Sequence, residues 1–292
     1  MRWKEKLIEL FLIFSSSIGV LTTLGILIVL LTEAFLFFRE VSFIEFITDT
    51  EWTPLFANKR FGILALLSGT ILTTVIAVLF AVPIGLIIAI YLSEYADRRF
   101  RSYVKPMLEV LASIPTVVYG YFALTVVTPF LQQFIPNLAG FNALSPGLVM
   151  GVMIIPLVSS LSEDALYAVP RSLREAAYAL GSSRLQTSFR VVLPAATSGV
   201  LVSIILAISR ALGETMIVAI AAGQQPRFTF NPLVPIETVT TYIVQVSLGD
   251  VPQASLEYKT IFAAGLSLFV FTFILNNISY VLKKRYTHKY EL

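Results

Sequence analysis

Cysteine is absent from all 292 residues, and histidine occurs once, at His288. The first absence excludes disulfides, thiolate metal sites and a cysteine nucleophile. The second leaves a metal site or an imidazole base without a framework, because His288 sits in a basic tail and reads as a solvated residue. Charge is also scarce: 13% of residues are charged and 57% are apolar, with a mean hydropathy of +0.82. Soluble domains carry about 25% charged residues. A soluble protein this apolar would expose large patches, so the chain reads as an integral membrane protein. No Gly-Lys dipeptide occurs, which excludes a Walker A loop and leaves the chain unable to cradle nucleotide phosphates by that device. No nucleophile–base pair, metal cluster or cofactor loop is visible either. The chain is therefore not expected to be an enzyme or to hold a cofactor or metal, and nothing points to nucleic acid.

What is present is a series of long apolar runs. Six are long enough to cross a hydrocarbon core, which takes about 20 residues: Leu7–Phe38, Phe61–Leu92, Met107–Phe130, Pro146–Leu161, Ala195–Ala222 and Thr260–Leu282. The fourth is the shortest. The second is too long to cross upright, so it tilts, kinks at Pro83-Ile84-Gly85 or extends beyond the bilayer. The opening Met1–Lys6 could pass for a secretory signal, but the apolar run continues to about Phe38 with no cleavage site, so a retained first helix is expected. Glu33, near the outer end of that helix, reads as a snorkelling interfacial residue.

Lysines and arginines set the orientation. Arg2, Lys4 and Lys6, then Arg98, Arg99, Arg101 and Lys105, then Arg171, Arg174, Arg184 and Arg190, then Lys283, Lys284, Arg285 and Lys289 fall on one side. Only Arg39, Lys59, Arg60, Arg227 and Lys259 fall on the other. The expectation is an all-α protein of six spans with both termini cytoplasmic. It divides into a first helix and extracytoplasmic loop (1–60), a transmembrane domain (61–285) with a long cytoplasmic loop at about 162–194, and a tail (286–292). The outer loops at 39–60 and 224–258 read as structured, either a docking rim or solvated lids.

Arg210 and Glu214 stand inside the fifth run. A charge at the centre of a membrane helix costs about 2.5–3.5 kcal/mol on translocon scales, so such residues pair, face a pathway, or both. At i, i+4 they share a helix face. A guanidinium matches oxyanion geometry; the plain alternative is an ion pair that locks the helix to a neighbour. Ser203, seven residues before Arg210, can share its face, and Ser209 is a second nearby donor. In the third run Glu109 reads most simply as a cap or a partner of Lys105 at i−4. Pro115 removes a backbone hydrogen bond and Gly120 permits close approach, so that span is expected to kink.

The long inner loop is well punctuated. Ser172 and Glu175 have capping-box spacing, Ala176, Ala177, Ala179 and Leu180 favour helix, and Gly181 supplies a left-handed stop. Ser183 to Gln186 repeats the box before Pro194. Two short helices are expected, with Tyr178, Leu180, Leu185 and Phe189 on their surfaces, either lying on the bilayer or inserting into a partner's groove.

Glu175-Ala176-Ala177, then Gly181, then Val191 and Leu193-Pro194 resembles the EAA loop of permease subunits of bacterial ABC importers, a MetI-like family. Glu109 to Gly120 (EVLASIPTVVYG) and Ser209 to Met216 (SRALGETM) are similar to segments of the phosphate-specific PstC-type permeases, with the sister PstA type sharing much of the pattern. The resemblance implies a type I importer fold and a multi-pass permease of the prokaryotic inner membrane. Glu175, Ala176, Ala177, Gly181, Leu193 and Pro194 would form the coupling loop. Arg210, Glu214, Ser203, Ser209 and Thr215 would lie on the substrate path, with Glu109, Pro115, Thr116 and Tyr119 as gating candidates. It also implies a homologous PstA-like permease, two PstB-like subunits that carry ATP and magnesium, an external PstS-like phosphate-binding protein, and surrounding lipid. The alternatives are another oxyanion cargo (sulfate, molybdate or tungstate), the sister subunit, or an ungated anion channel or scaffold.

Overall fold

A computed structural model describes residues 2–253 and 255–287 as a helical membrane-type bundle, with no strand among the described residues beyond isolated bridges at Trp52–Phe61 and Gly223–Ile236. Four helices are long and apolar enough to cross a membrane, or six if two sharply bent pairs each count as one span. The first helix, α1 (Arg2–Glu40), is followed by the short α2 (Phe43–Thr48) and then α3 (Leu64–Ile90). α3 runs through Pro83 unbroken and gains a π-helical turn at Tyr91–Tyr95. The segment therefore does not break at Pro83-Ile84-Gly85.

The basic, amphipathic α4 (Arg98–Ser113) buries none of its residues. After it the chain turns by 83° into α5 (Thr116–Phe122), a π-helical turn at Ala123–Val127 and α6 (Thr128–Gln132). The expected span beginning at Met107 is thus corrected. Residues up to Ser113 form a separate helix, because Pro115 cannot donate to the ladder and holds the preceding Ile114 extended (φ −62°, ψ 130°).

The central helix is α7 (Leu144–Tyr167), longer than the expected Pro146–Leu161 and the most buried of the candidate spans. It lies directly on α3, since a side chain at Gly147 would strike Ile76 and one at Gly151 would strike Phe80. The long loop then forms α8 (Arg171–Ala179), α9 (Arg184–Thr187), a π-helical turn at Ser188–Val192 and α10 (Leu193–Ala195). A 73° bend separates this stretch from α11 (Thr197–Leu212). The expected continuous fifth span to Ala222 is also corrected: the chain breaks at Gly213–Thr215 and resumes as α12 (Met216–Ala221). α13 (Val239–Leu248) and α14 (Leu256–Thr287) complete the fold. The expected tail therefore begins within α14, and His288 lies outside the described residues.

At the end away from the long loop, residues 41–63 form a folded cap. Trp52 is buried with its ring edge-on to Tyr242 of α13 at 5.0 Å. Phe37, Phe46 and Phe61 complete this aromatic cluster. Lys259 bridges to Glu40 at 2.8 Å, and Lys59 pairs with Glu257. The second connection at this end is held inward as well. Thr238 caps α13, and the Val239 N–H donates to Thr70 Oγ1 at 3.1 Å.

Candidate translocation site and coupling loop

The break in the fifth span places Arg210 in the last turn of α11 and Glu214 between α11 and α12. They remain paired, with Arg210 Nη1 at 3.4 Å from Glu214 Oε2. Their surroundings differ sharply: the Glu214 side chain is 2% exposed and that of Arg210 48%. Glu214 Oε1 accepts from the backbone N–H groups of Met216 (3.2 Å) and Ile217 (3.4 Å), the first turn of α12. Its backbone carbonyl accepts from Thr240 Oγ1 at 2.8 Å. Glu214 is thus fixed in place by its own helix start and by α13. Among the described residues Arg210 has one further polar contact, Nη2 at 3.9 Å from Met153 Sδ of α7, and about half of its side chain is exposed.

The other residues expected near this pair divide. Ser203 is fully buried, its hydroxyl 2.6 Å from Ser162 Oγ, and it joins α11 to α7 away from any open surface. Ser209 donates to Asn276 Oδ1 of α14 at 3.1 Å. Thr215 donates to the Gly213 carbonyl inside the break at 3.3 Å. Tyr119 is buried in the same apolar cluster as Met153, Ala207, Ala211 and Ile217, and its hydroxyl donates to the Leu111 carbonyl across the α4–α5 bend at 2.8 Å. Pro115 is exposed in that bend and Thr116 half-buried. Gly120 lies against Ile220 and the Met216 carbonyl of α12, so the two broken spans meet there.

Glu109 is exposed and makes no ion pair with Lys105. Lys105 instead reaches α7, pairing with Glu163 and, at 2.9 Å, with Asp164. Arg101 also pairs with Glu163, which is completely buried. These ties were not anticipated, although Arg101, Lys105 and Arg98 one turn apart gave a basic helix face that needed partners.

In the long loop, the expected Ser172 cap is not formed. α8 begins at Arg171 with Pro170 at the cap position and no side-chain cap bond, which places Ser172 inside its first turn. Proline's fixed φ pre-organises that start instead. The stop at Gly181 is as expected: φ is +80°, with the Ser182 N–H donating to the Ala177 carbonyl (3.1 Å) and the Gly181 N–H to that of Tyr178 (2.9 Å). The capping box of Ser183 and Gln186 is complete. Glu175 and Ala176 are exposed and Ala177 is buried, while Leu193 and Pro194 are half-buried beneath the loop. Leu180 is 88% exposed, and Leu185, Phe189 and Tyr178 are exposed beside it. Leu185 and Phe189 line a shallow apolar cleft with Ile87, Ile90, Tyr91 and Tyr95 of the α3 end.

Residues 81–288 match the family described as "Binding-protein-dependent transport system inner membrane component". Among curated relatives, the probable ABC transporter permease YqgH of Bacillus subtilis is 36% identical over 234 residues, 80% of this chain and 75% of its own. The phosphate transport system permease PstC of Xylella fastidiosa is 35% identical over 266 residues, 84% of this chain and 80% of its own. A bacterial alginate ABC transporter, solved in complex with its alginate pentasaccharide-bound periplasmic protein, superposes with a TM-score of 0.67 at 20% identity, covering 97% of this chain and 96% of that one. The MetNI methionine transporter in an inward-facing form superposes at 0.57 and 16% identity, over 77% and 94% of the two chains. Both structural matches describe fold. The family match and the sequence relatives establish that the chain belongs to the binding-protein-dependent inner-membrane permease family of ABC importers.

Proposed function

We propose that the chain is the permease subunit of an ATP-driven phosphate importer, forming half of a translocation path with a homologous second permease and taking its energy from separate ATP-binding subunits. Both termini and the long loop face the cytoplasm, and the cap formed by residues 41–63 faces an external phosphate-binding protein. Arg210 carries the reading. A half-exposed guanidinium beside a helix break at membrane depth is costly against lipid, so its open edge calls for protein or water rather than acyl chains. A path between two permeases meets that need. Glu214, buried and held by three hydrogen bonds, supplies a fixed counter-charge that limits how tightly an anion is retained, since pathway sites must release as well as bind. The relatives named as phosphate permeases favour phosphate as the cargo.

The loop supports the remainder. Leu180, 88% exposed just before the Gly181 stop, is an apolar point suited to a groove on a cytoplasmic partner, and Glu175 is exposed on the same helix. The test is uptake of labelled phosphate into vesicles containing the chain assembled with a partner permease and ATP-binding subunits. Uptake should require ATP, resist excess sulfate and molybdate, and fall at least about tenfold in Arg210→Lys with assembly intact, because an ammonium cannot reproduce the fork. Normal uptake by an assembled Arg210→Ala complex would exclude the substrate role. ATP-independent conductance by the isolated chain would instead indicate a channel.

A further inference from the structure

α8 is lightly buried, and one of its side chains ties it to the ends of α3 and α7. Of its nine residues only Ala177 is buried, and a cleft of about 740 Å³ separates its first turn from α7 and α11. Arg174 lies in a second cleft, of about 390 Å³, that it lines together with Ser93, Glu94 and Tyr167. Its Nε and Nη2 grip both carboxylate oxygens of Glu94, at 3.1 and 2.8 Å, in the π-helical turn that ends α3. Its Nη1 donates to the Val169 carbonyl at 2.5 Å and Nη2 also to that of Leu166 at 2.8 Å, at the end of α7. Glu94 is oriented by Ser93 Oγ at 2.8 Å, and the two charged side chains are only 5% and 16% exposed.

One planar fork therefore ties the projecting helix to both members of the closely packed α3–α7 pair. Bidentate Arg–carboxylate pairing fixes direction as well as distance, and the carbonyls at a helix C-terminus are natural partners for a cation. We propose that the Arg174–Glu94 pair is the strut that converts displacement of α8 into movement of α3 and α7, making Arg174 a positioning residue for coupling ATP hydrolysis to transport. This rests on α8 being the ATPase-docking helix. A purely stabilising pair would affect how much complex forms; a strut affects how much cargo moves for each ATP consumed.

The test uses the whole reconstituted complex with Glu94→Gln, Arg174→Lys and the double variant, measuring ATPase co-purification, ATP hydrolysis and phosphate moved per ATP. Co-purification and hydrolysis should persist in every variant while transport per ATP falls about tenfold, within the range of about 5- to 150-fold typical of coupling between sites. The double variant should be no worse than either single. A second arm exploits the absence of natural cysteine: in Glu94→Cys/Arg174→Cys, a short bifunctional thiol reagent should restore the ratio. An unchanged ratio, a loss of co-purification with a normal ratio in the remaining complex, or a formed cross-link without recovery would each overturn the strut. If the unmodified chain neither binds the ATPase nor transports with ATP, the docking reading itself falls. If the unmodified chain couples and the variants couple equally well, only the strut does.

Discussion

Glu214→Gln separates the two jobs that the buried carboxylate performs. One oxygen accepts from the Met216 and Ile217 N–H groups at the start of α12, and the other lies 3.4 Å from Arg210. Glutamine keeps a carbonyl oxygen for the first job but turns an amide donor toward the guanidinium in the second. Unit charges at that separation attract by about 5 kcal/mol at an effective dielectric of about 20. The Arg210 side chain is 48% exposed, and solvent screening together with desolvation of the carboxylate reduces the net pairing to about 1–2 kcal/mol. An anion that competes with Glu214 for the guanidinium recovers this amount in the variant, a factor of roughly 5 to 30. Half-saturating phosphate should fall by about that factor, and the maximal uptake rate should fall as well because release slows. Glu214→Ala also strips the two N–H groups of their acceptor, costing about 1–3 kcal/mol more, so its Tm in detergent should lie below that of the glutamine variant. Uptake kinetics in vesicles and thermal unfolding check the two parts. Unchanged half-saturation and rate in an assembled glutamine variant would refute the counter-charge argument, and equal Tm values for the two variants would refute the capping argument.

Glu237 is 1% exposed with no hydrogen-bond partner for Oε1 among the described residues, and burial pushes its carboxyl up from 4.5 to about 8. The folded protein therefore favours the protonated form. The stability this confers is fully present below the unfolded value of 4.5 and is lost as pH rises toward 8. Wild-type Tm should decline across that window while Glu237→Gln, a neutral isostere, stays flat and melts higher at its upper end; a flat wild-type profile would count against the assignment. Gly181 has φ +80°, so Gly181→Val forces a branched side chain into the left-handed region at about 1–2 kcal/mol. ATPase co-purification should drop while the bundle's Tm holds. A side chain at Gly69 would come within 2.3 Å of the Glu237 carbonyl, and Gly69→Ala should lower Tm by the equivalent of about 1–3 kcal/mol of overpacking; an unchanged Tm would mean that the inward-folded connection before α13 can shift freely.

Hydropathy located every long apolar segment because burying or solvating such runs leaves few alternatives, and the loop's stop at Gly181 followed from glycine's access to positive φ. Breaks within apolar runs were harder to see. Gly213-Glu214-Thr215 has no proline, and a helix could have continued through it. What ends α11 is tertiary: Glu214 turns inward to cap α12, and Thr240 of α13 holds its carbonyl. The α4–α5 bend had a visible proline, but apolar Met107 to Ser113 concealed that α4 is a separate amphipathic helix. Ser172 shows the limit of motif spacing, since Pro170 began the helix before its capping box could act. Ion pairs between distant segments, such as Arg174–Glu94 and Arg101–Glu163, depend on which helix ends become neighbours, and spacing along the chain carries little of that information.

The capped loop and the Arg210–Glu214 pair are joined by covalent connectivity and packing. α8 follows α7 after three residues, and α10 precedes α11 across a single bend at Ala196. α7 and α11 then run together: a side chain at Gly199 would collide with Ala165, Ser203 bonds Ser162, and Arg210 reaches Met153. From Thr197 to Arg210 the helix spans about 20 Å at 1.5 Å per residue. On the proposed coupling role, a push on the loop would enter both helices at their near ends and pass along the packed pair to the far end, where the ladder breaks and Arg210 sits. Glu214 does not ride rigidly with that helix, because α12 and α13 hold it. Movement of α11 relative to α12 would alter the 3.4 Å separation of the charges and with it the competition between Glu214 and the cargo for the guanidinium. The break in the span is what makes this possible, since in a continuous helix the i, i+4 pair would move as one body.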